Sequence, residues 1–192
     1  MEMYKDLPVI EFANQEEWRK WLHAHHTQPA GIWIKFAKKG TGVTTASYDE
    51  ALDAALCYGW IDGQTQRFDA TYYLQKFTPR RAKSIWSKRN VTKVAKLAAA
   101  GKIQPAGQAA IDAAKADGRW EQAYDSSSNS VIPDDFQAAL AANPKAKAFY
   151  ATLNKTNTYA ILWRIQTAKK PETRARRIET LIAMLNREEK IH

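Results

Sequence analysis

The residues of this chain best suited to chemistry are cations set among rings and hydroxyls, in the run Thr78-Pro-Arg80-Arg81-Ala-Lys83-Ser84-Ile-Trp86-Ser87-Lys-Arg-Asn90. Arg80, Arg81 and Lys83 precede a helix start, where unpaired backbone N–H groups and the helix dipole favour an anion, and Ser84 or Ser87 adds a hydroxyl donor. The planar fork of arginine suits phosphate or carboxylate better than the point charge of lysine does. With Trp60 and Asp62 from the preceding motif, the residues of this ligand-binding reading are Trp60, Asp62, Arg80, Arg81, Lys83, Ser84, Trp86, Ser87 and Asn90. A competing reading has Arg80 and Arg81 pairing with a carboxylate such as Asp62 and fixing a loop. Trp60 and Trp86 either stack on a base or sugar, or pack as core and cation–π partners.

Other reactive types point to structural roles. Cys57 lies among Leu56, Tyr58 and Trp60 on an apolar helix and reads as a small buried hydrophobe; as the lone cysteine it forms no intrachain disulfide. His23, His25 and His26 lack companion cysteines and read as cations at a helix C-terminus rather than metal ligands. Asp62 could act as a base beside the arginines, but no partner stands at a diagnostic spacing. No Walker loop, nucleophile elbow or zinc spacing is present, so the sequence calls for no cofactor and no metal, and leans away from an enzyme.

Charge is segregated along the chain. Between Arg67 and Lys102 there are ten basic residues against Asp69 alone, so this window carries +9, the net charge of the whole protein. From Lys145 onward the balance is +7, and the remainder offsets it. Such a field attracts anions, which keeps an acidic protein surface, a small anionic molecule and nucleic acid in play as partners. The first dozen residues carry Glu2, Asp6 and Glu11 and lack the pattern of a secretory signal. No apolar run approaches the roughly 18–20 residues of a membrane span. The expectation is a cytoplasmic protein without membrane insertion.

The elements that must position these residues are legible in part. Asn14 with Glu17 caps a helix over 15–25, and Gly31 to Lys38 is a strand with Ile32, Ile34 and Phe36 on one face. Ser47 with Glu50 opens a second helix from Tyr48 to Tyr58, ended by Gly59. The segments 60–68 and 72–77 form a hairpin with a bend at Gly63, closed by Thr78-Pro79. A helix capped by Ser84, Ser87 or Asn90 runs to Gly101, and another spans 106–116. Beyond the serine-rich stretch, helices are expected near 133–142, 144–153, 157–169 and 172–187. The fold class is α+β: residues 1–124 form a small, mostly antiparallel sheet with packed helices, 125–131 a linker, and 132–192 an all-helical part.

The motifs Glu50-Ala-Leu-Asp-Ala-Ala-Leu-Cys-Tyr-Gly-Trp-Ile-Asp-Gly63 and Phe77 to Asn90, with the tail Ala168-Lys-Lys-Pro-Glu-Thr-Arg-Ala-Arg-Arg-Ile178, resemble the YdeI/OmpD-associated, or bacteriocin-protection, family. The resemblance implies a bacterial stress protein linked to bacteriocin or antimicrobial-peptide resistance and to an outer-membrane porin. It implies no established reaction and no catalytic residues. The expected function is therefore non-enzymatic protection, with the basic aromatic stretch holding an anionic ligand or an acidic partner. The alternatives are a nucleic-acid-binding protein using residues 67–102, and an enzyme centred on Asp62, Arg80 and Arg81.

Overall fold

Ile32, Ile34 and Phe36 turn to one face of strand β3 (Ile32–Ala37) and are almost wholly buried, while Trp33 buries itself on the other. This two-sided strand lies in the middle of a five-stranded sheet. The structure is a computed structural model that describes residues 2–127 and 129–192. Ser128, inside the stretch read as a linker, lies outside the described residues. The chain divides into two units, Met1–Trp86 with Asn90–Glu121 and Ser87–Arg89 with Gln122–His192.

In the first unit the sheet contains β1 (Met3–Tyr4), β2 (Leu7–Glu11), β3, β4 (Trp60–Arg67) and β5 (Tyr72–Pro79), in the spatial order β1-β2-β3-β5-β4. Helix α1 (Gln15–His25) connects β2 to β3, which pair in parallel, and all other ladders are antiparallel. Helix α2 (Tyr48–Cys57) carries the chain from β3 to β4, and the β4–β5 hairpin then inserts β5 between them. The register shifts between Asp62 and Thr65, so the bend expected at Gly63 is a β-bulge that re-aims the strand.

Both caps form as their residue types dictate. Asn14 accepts from the Glu17 amide, and Ser47 and Glu50 complete a reciprocal capping box. The helices cover the face bearing Ile34, Phe36 and Phe77, with Trp18 Nε1 donating to the Ala51 carbonyl at 3.0 Å and so tying α1 to α2. On the opposite face Val9, Trp33 and Leu74 form a smaller cluster flanked by Tyr4, Leu7 and Phe68. Strands β1 and β2 carry no clear signal in the sequence. They are short, Pro8 interrupts the second, and their pairing depends on β3 rather than on local preference.

Helix α3 (Lys88–Ala99) and helix α4 (Pro105–Ala116) follow the sheet. Asn90 is the third residue of α3, and Gly101 beyond its end has φ +64°. The second unit is helical: α5 (Asp134–Ala141), α6 (Pro144–Ala151), α7 (Lys155–Gln166) and α8 (Pro171–Asn186). Its core includes Phe136, Leu140, Ile161, Ile165, Ile182 and Leu185. Proline at the first turn of α6 and α8 marks both starts because its missing N–H would have no partner there.

Helix α4 is seated on the end of α2 at Gly107, where an added Cβ would lie 2.2 Å from the Cys57 carbonyl oxygen and 2.8 Å from its carbon. Because the obstacle is backbone, no rotamer change relieves it. Gly107→Ala should gain about 1 kcal/mol of helix propensity yet lose roughly 1–3 kcal/mol to overpacking. The expected outcome in urea unfolding is a lower midpoint; a raised midpoint would show that the contact is slack.

Candidate functional site

The hairpin ends where β5 runs out of partners, and the chain then turns through Arg80 to Ile85. Arg80 donates its amide to the Gly59 carbonyl at 2.9 Å and a guanidinium N–H to the Ile85 carbonyl at 3.2 Å. Its guanidinium carbon lies 3.5 Å from the centre of the Trp86 ring, a close face-on stack. Beneath, Trp86 is 1% exposed and packs on Trp120 with ring centres 4.9 Å apart.

Between these anchors Arg81 and Ser84 close a small turn on themselves. The Ser84 hydroxyl accepts from the Arg81 amide, and the Arg81 carbonyl accepts from the Ser84 amide, both at 2.9 Å. The Ser84 carbonyl also accepts from the Arg119 guanidinium at 2.8 Å. Arg119 is itself buried, with its Nε donating to both Asp117 oxygens at 2.7 Å. Arg81 and Lys83 are left exposed on the outside, and neither has a carboxylate partner among the described residues.

The structure thus brings Arg80, Arg81, Lys83, Ser84 and Trp86 into one local assembly. The other predicted site residues take different places. Trp60 is 0% exposed; its ring packs against Trp18 and Trp21, and its Nε1 donates to the His26 carbonyl at 2.9 Å. The Asp62 carboxylate accepts from the Tyr48 hydroxyl at 2.8 Å. Asn90 is buried on α3, and Ser87 groups with the second unit, where it bridges to Tyr124. With both rings enclosed, neither Trp60 nor Trp86 presents a face on which a base could stack, so of the two readings of these rings it is core and cation–π packing that the structure shows.

Arg119 and Trp120 were not singled out from the sequence, although both support the turn. A signal existed: in Asp117-Gly-Arg119 an aspartate stands two residues before an arginine, and the Asp117 carboxylate accepts from the Arg119 amide in a local turn. The histidines act at the end of α1, with the His25 and His26 rings within 2.8 and 3.1 Å of the Trp21 and Leu22 carbonyls. Cys57 is buried and burial pushes its thiol up from the ordinary value, the opposite of an activated thiolate.

In the second unit the tail arginines cover the C-terminal carbonyls of α7. Arg174 grips both Asp135 oxygens and donates to the Ile165 carbonyl, while Arg177 donates to the Arg164 carbonyl and the Thr167 hydroxyl. Cations there offset the negative end of the helix dipole. The hydrogen bond from Arg174 holds the Asp135 carboxyl below its usual range.

Comparison with known families divides the chain in a similar way. Residues 10–110 match the domain of unknown function DUF8412, and residues 129–188 match the family described as bacteriocin-protection, YdeI or OmpD-associated. The second match contains the tail signature Ala168–Ile178, whereas the motifs at 50–63 and 77–90 fall in the first. No curated protein and no solved structure gives a significant match.

The neighbouring arginines should respond oppositely to truncation. Arg80→Ala removes a close ring stack and a charged hydrogen bond and should destabilise the first unit by about 1–3 kcal/mol. Arg81→Ala, at an exposed side chain, should stay within about 0.5 kcal/mol of the parent. Of the seven tryptophans only Trp163 lies in the second unit, so tryptophan fluorescence during urea unfolding follows this difference. Equal effects would refute the division of labour.

Proposed function

We propose, for a chain that belongs to the DUF8412 family and carries a YdeI or OmpD-associated segment, that it is a non-enzymatic protection protein binding an anionic ligand or an acidic partner segment at the Arg80–Ile85 turn. The observation that carries this reading is the exposure of Arg81 and Lys83 on a turn whose shape is set from beneath. Cations without a carboxylate partner, held on a turn that need not reorganise, bind an anion at little ordering cost. Arg80, Trp86 and Arg119 are the platform, and Arg81, Lys83 and the Ser84 hydroxyl are the contacts.

The role in bacteriocin or antimicrobial-peptide resistance, and an association with a porin, come from the family's name and are part of the proposal. So is action from the cytoplasm. A site made of cations repels cationic peptides, so protection by this site acts through an acidic or anionic component rather than by trapping the peptide. No helix among the described residues is long and apolar enough to cross a membrane.

Thermal unfolding with inorganic tripolyphosphate tests the reading. A ligand at 100 times its Kd stabilises by about 2.7 kcal/mol, which for a chain of this size raises Tm by roughly 5–10 °C. The Arg81→Ala/Lys83→Ala variant should keep the parent Tm without ligand and lose most of the rise. If the variant shows the full rise, the turn is not the site.

A further inference from the structure

The second unit carries its own basic feature, independent of the turn just described. A cleft of about 590 Å³ lies between α7 and α8, with Leu181, Met184 and Ile191 supplying its apolar lining and Arg164, Arg176 and Arg177 its cations. Trp163, 36% exposed and among the large apolar side chains most open to solvent, completes one wall. Its ring meets Tyr124 edge-on, with centres 6.3 Å apart.

The lining is fixed by the helices and by the segment beyond α8 that carries Ile191. On α8, Arg177, Leu181 and Met184 recur at spacings of four and three, and Arg176 and Thr180 form the adjacent row, so all five share one side of the helix. Ile191 is set by Asn157, a 3% exposed residue of α7 whose Oδ1 accepts from the Ile191 and His192 amides at 3.0 Å each.

The charge of the cleft is uncompensated. Ion pairs in this unit tie Lys88 to Asp125, Lys145 to Glu188, Arg174 to Asp135 and Arg187 to Glu189. Arg164 and Arg177 donate only to neutral oxygens, and Arg164, Arg176 and Arg177 have no carboxylate partner among the described residues. Three guanidinium groups thus surround an apolar pocket.

We propose that this cleft docks an acidic peptide segment of a protein partner, one that places an aliphatic or aromatic side chain in the pocket and carboxylates on the arginines. Planar forks match carboxylates two bonds at a time, and the apolar lining rewards a buried side chain. A nucleic-acid strand fits less well: its backbone needs a track of cations rather than three about one pocket, and Leu181, Met184 and Ile191 offer nothing to phosphate. An anionic bilayer would need apolar side chains projecting outward, and of this lining only Trp163 is among the exposed large apolar residues.

The test is fluorescence polarisation of the full chain with a labelled peptide in which one phenylalanine is flanked on each side by two glutamates. Binding should weaken about tenfold or more with Arg176→Glu, an exposed position whose guanidinium makes no hydrogen bond among the described residues. It should weaken similarly when the phenylalanine becomes serine or the glutamates glutamine, and should be unchanged with Lys20→Glu, at an exposed position on α1 of the first unit. Circular dichroism checks that each variant stays folded. The proposal is overturned if the parent fails to bind the peptide, or if Arg176→Glu leaves its affinity unchanged. It is equally overturned if that substitution weakens binding of single-stranded DNA or phosphatidylglycerol vesicles while sparing the peptide.

Discussion

The close stack of Arg80 on Trp86 is the constraint on which the candidate site depends. A guanidinium 3.5 Å from a ring centre, on an indole that is almost fully enclosed, fixes where the chain goes after leaving β5. Once Arg80 is committed inward, the Ile85 carbonyl has its donor, Arg81 and Ser84 close their turn, and Arg119 reaches the Ser84 carbonyl. The outward direction of Arg81 and Lys83 follows. Adjacent arginines therefore stand differently, one packed as part of the fold and the other exposed, where the proposed function makes it a contact.

The electrostatics of the basic stretch change meaning in this light. Read as a line of charge, Arg67 to Lys102 is a single strongly positive segment. In the folded chain much of it is already answered: Lys93 lies 2.7 Å from Asp53 and 3.4 Å from Asp49, Lys76 sits over Trp33, and Lys88 pairs with Asp125. What remains open is smaller and more local than the sequence charge implies, and Arg81 and Lys83 are its best-placed members. Neither has a carboxylate partner among the described residues, which is why the proposed function rests on them.

How far the sequence could be read depended on whether the determinants were local. The Asn14 cap, the Ser47–Glu50 capping box, prolines at helix starts and the positive-φ Gly59 ended or began helices close to where they were expected, because each acts within one turn. The α+β class was legible for the same reason. Strands β1 and β2 were not, since a strand of five residues containing Pro8 gains its stability from β3. The site was legible as a region but not as a constellation: Trp60 and Trp86 have the same residue type and similar neighbours, yet one packs against the tryptophans of α1 and the other supports a guanidinium. Only tertiary packing decides that. Arg119 was missed because it is distant in sequence from the turn it holds.

The central claim is that a turn fixed from beneath offers Arg81 and Lys83 to an anion, and a nitrogen–proton NMR titration with pyrophosphate tests it most directly. The account predicts that saturable shifts concentrate on the backbone amides from Arg81 to Ile85 and on the Arg81 Nε–H. The Arg80 Nε–H and Trp86 indole signals should stay nearly still, since the platform does not move. Shifts spread evenly over the lysines of α3 and the arginines of α8, or large changes at Trp86, would contradict it.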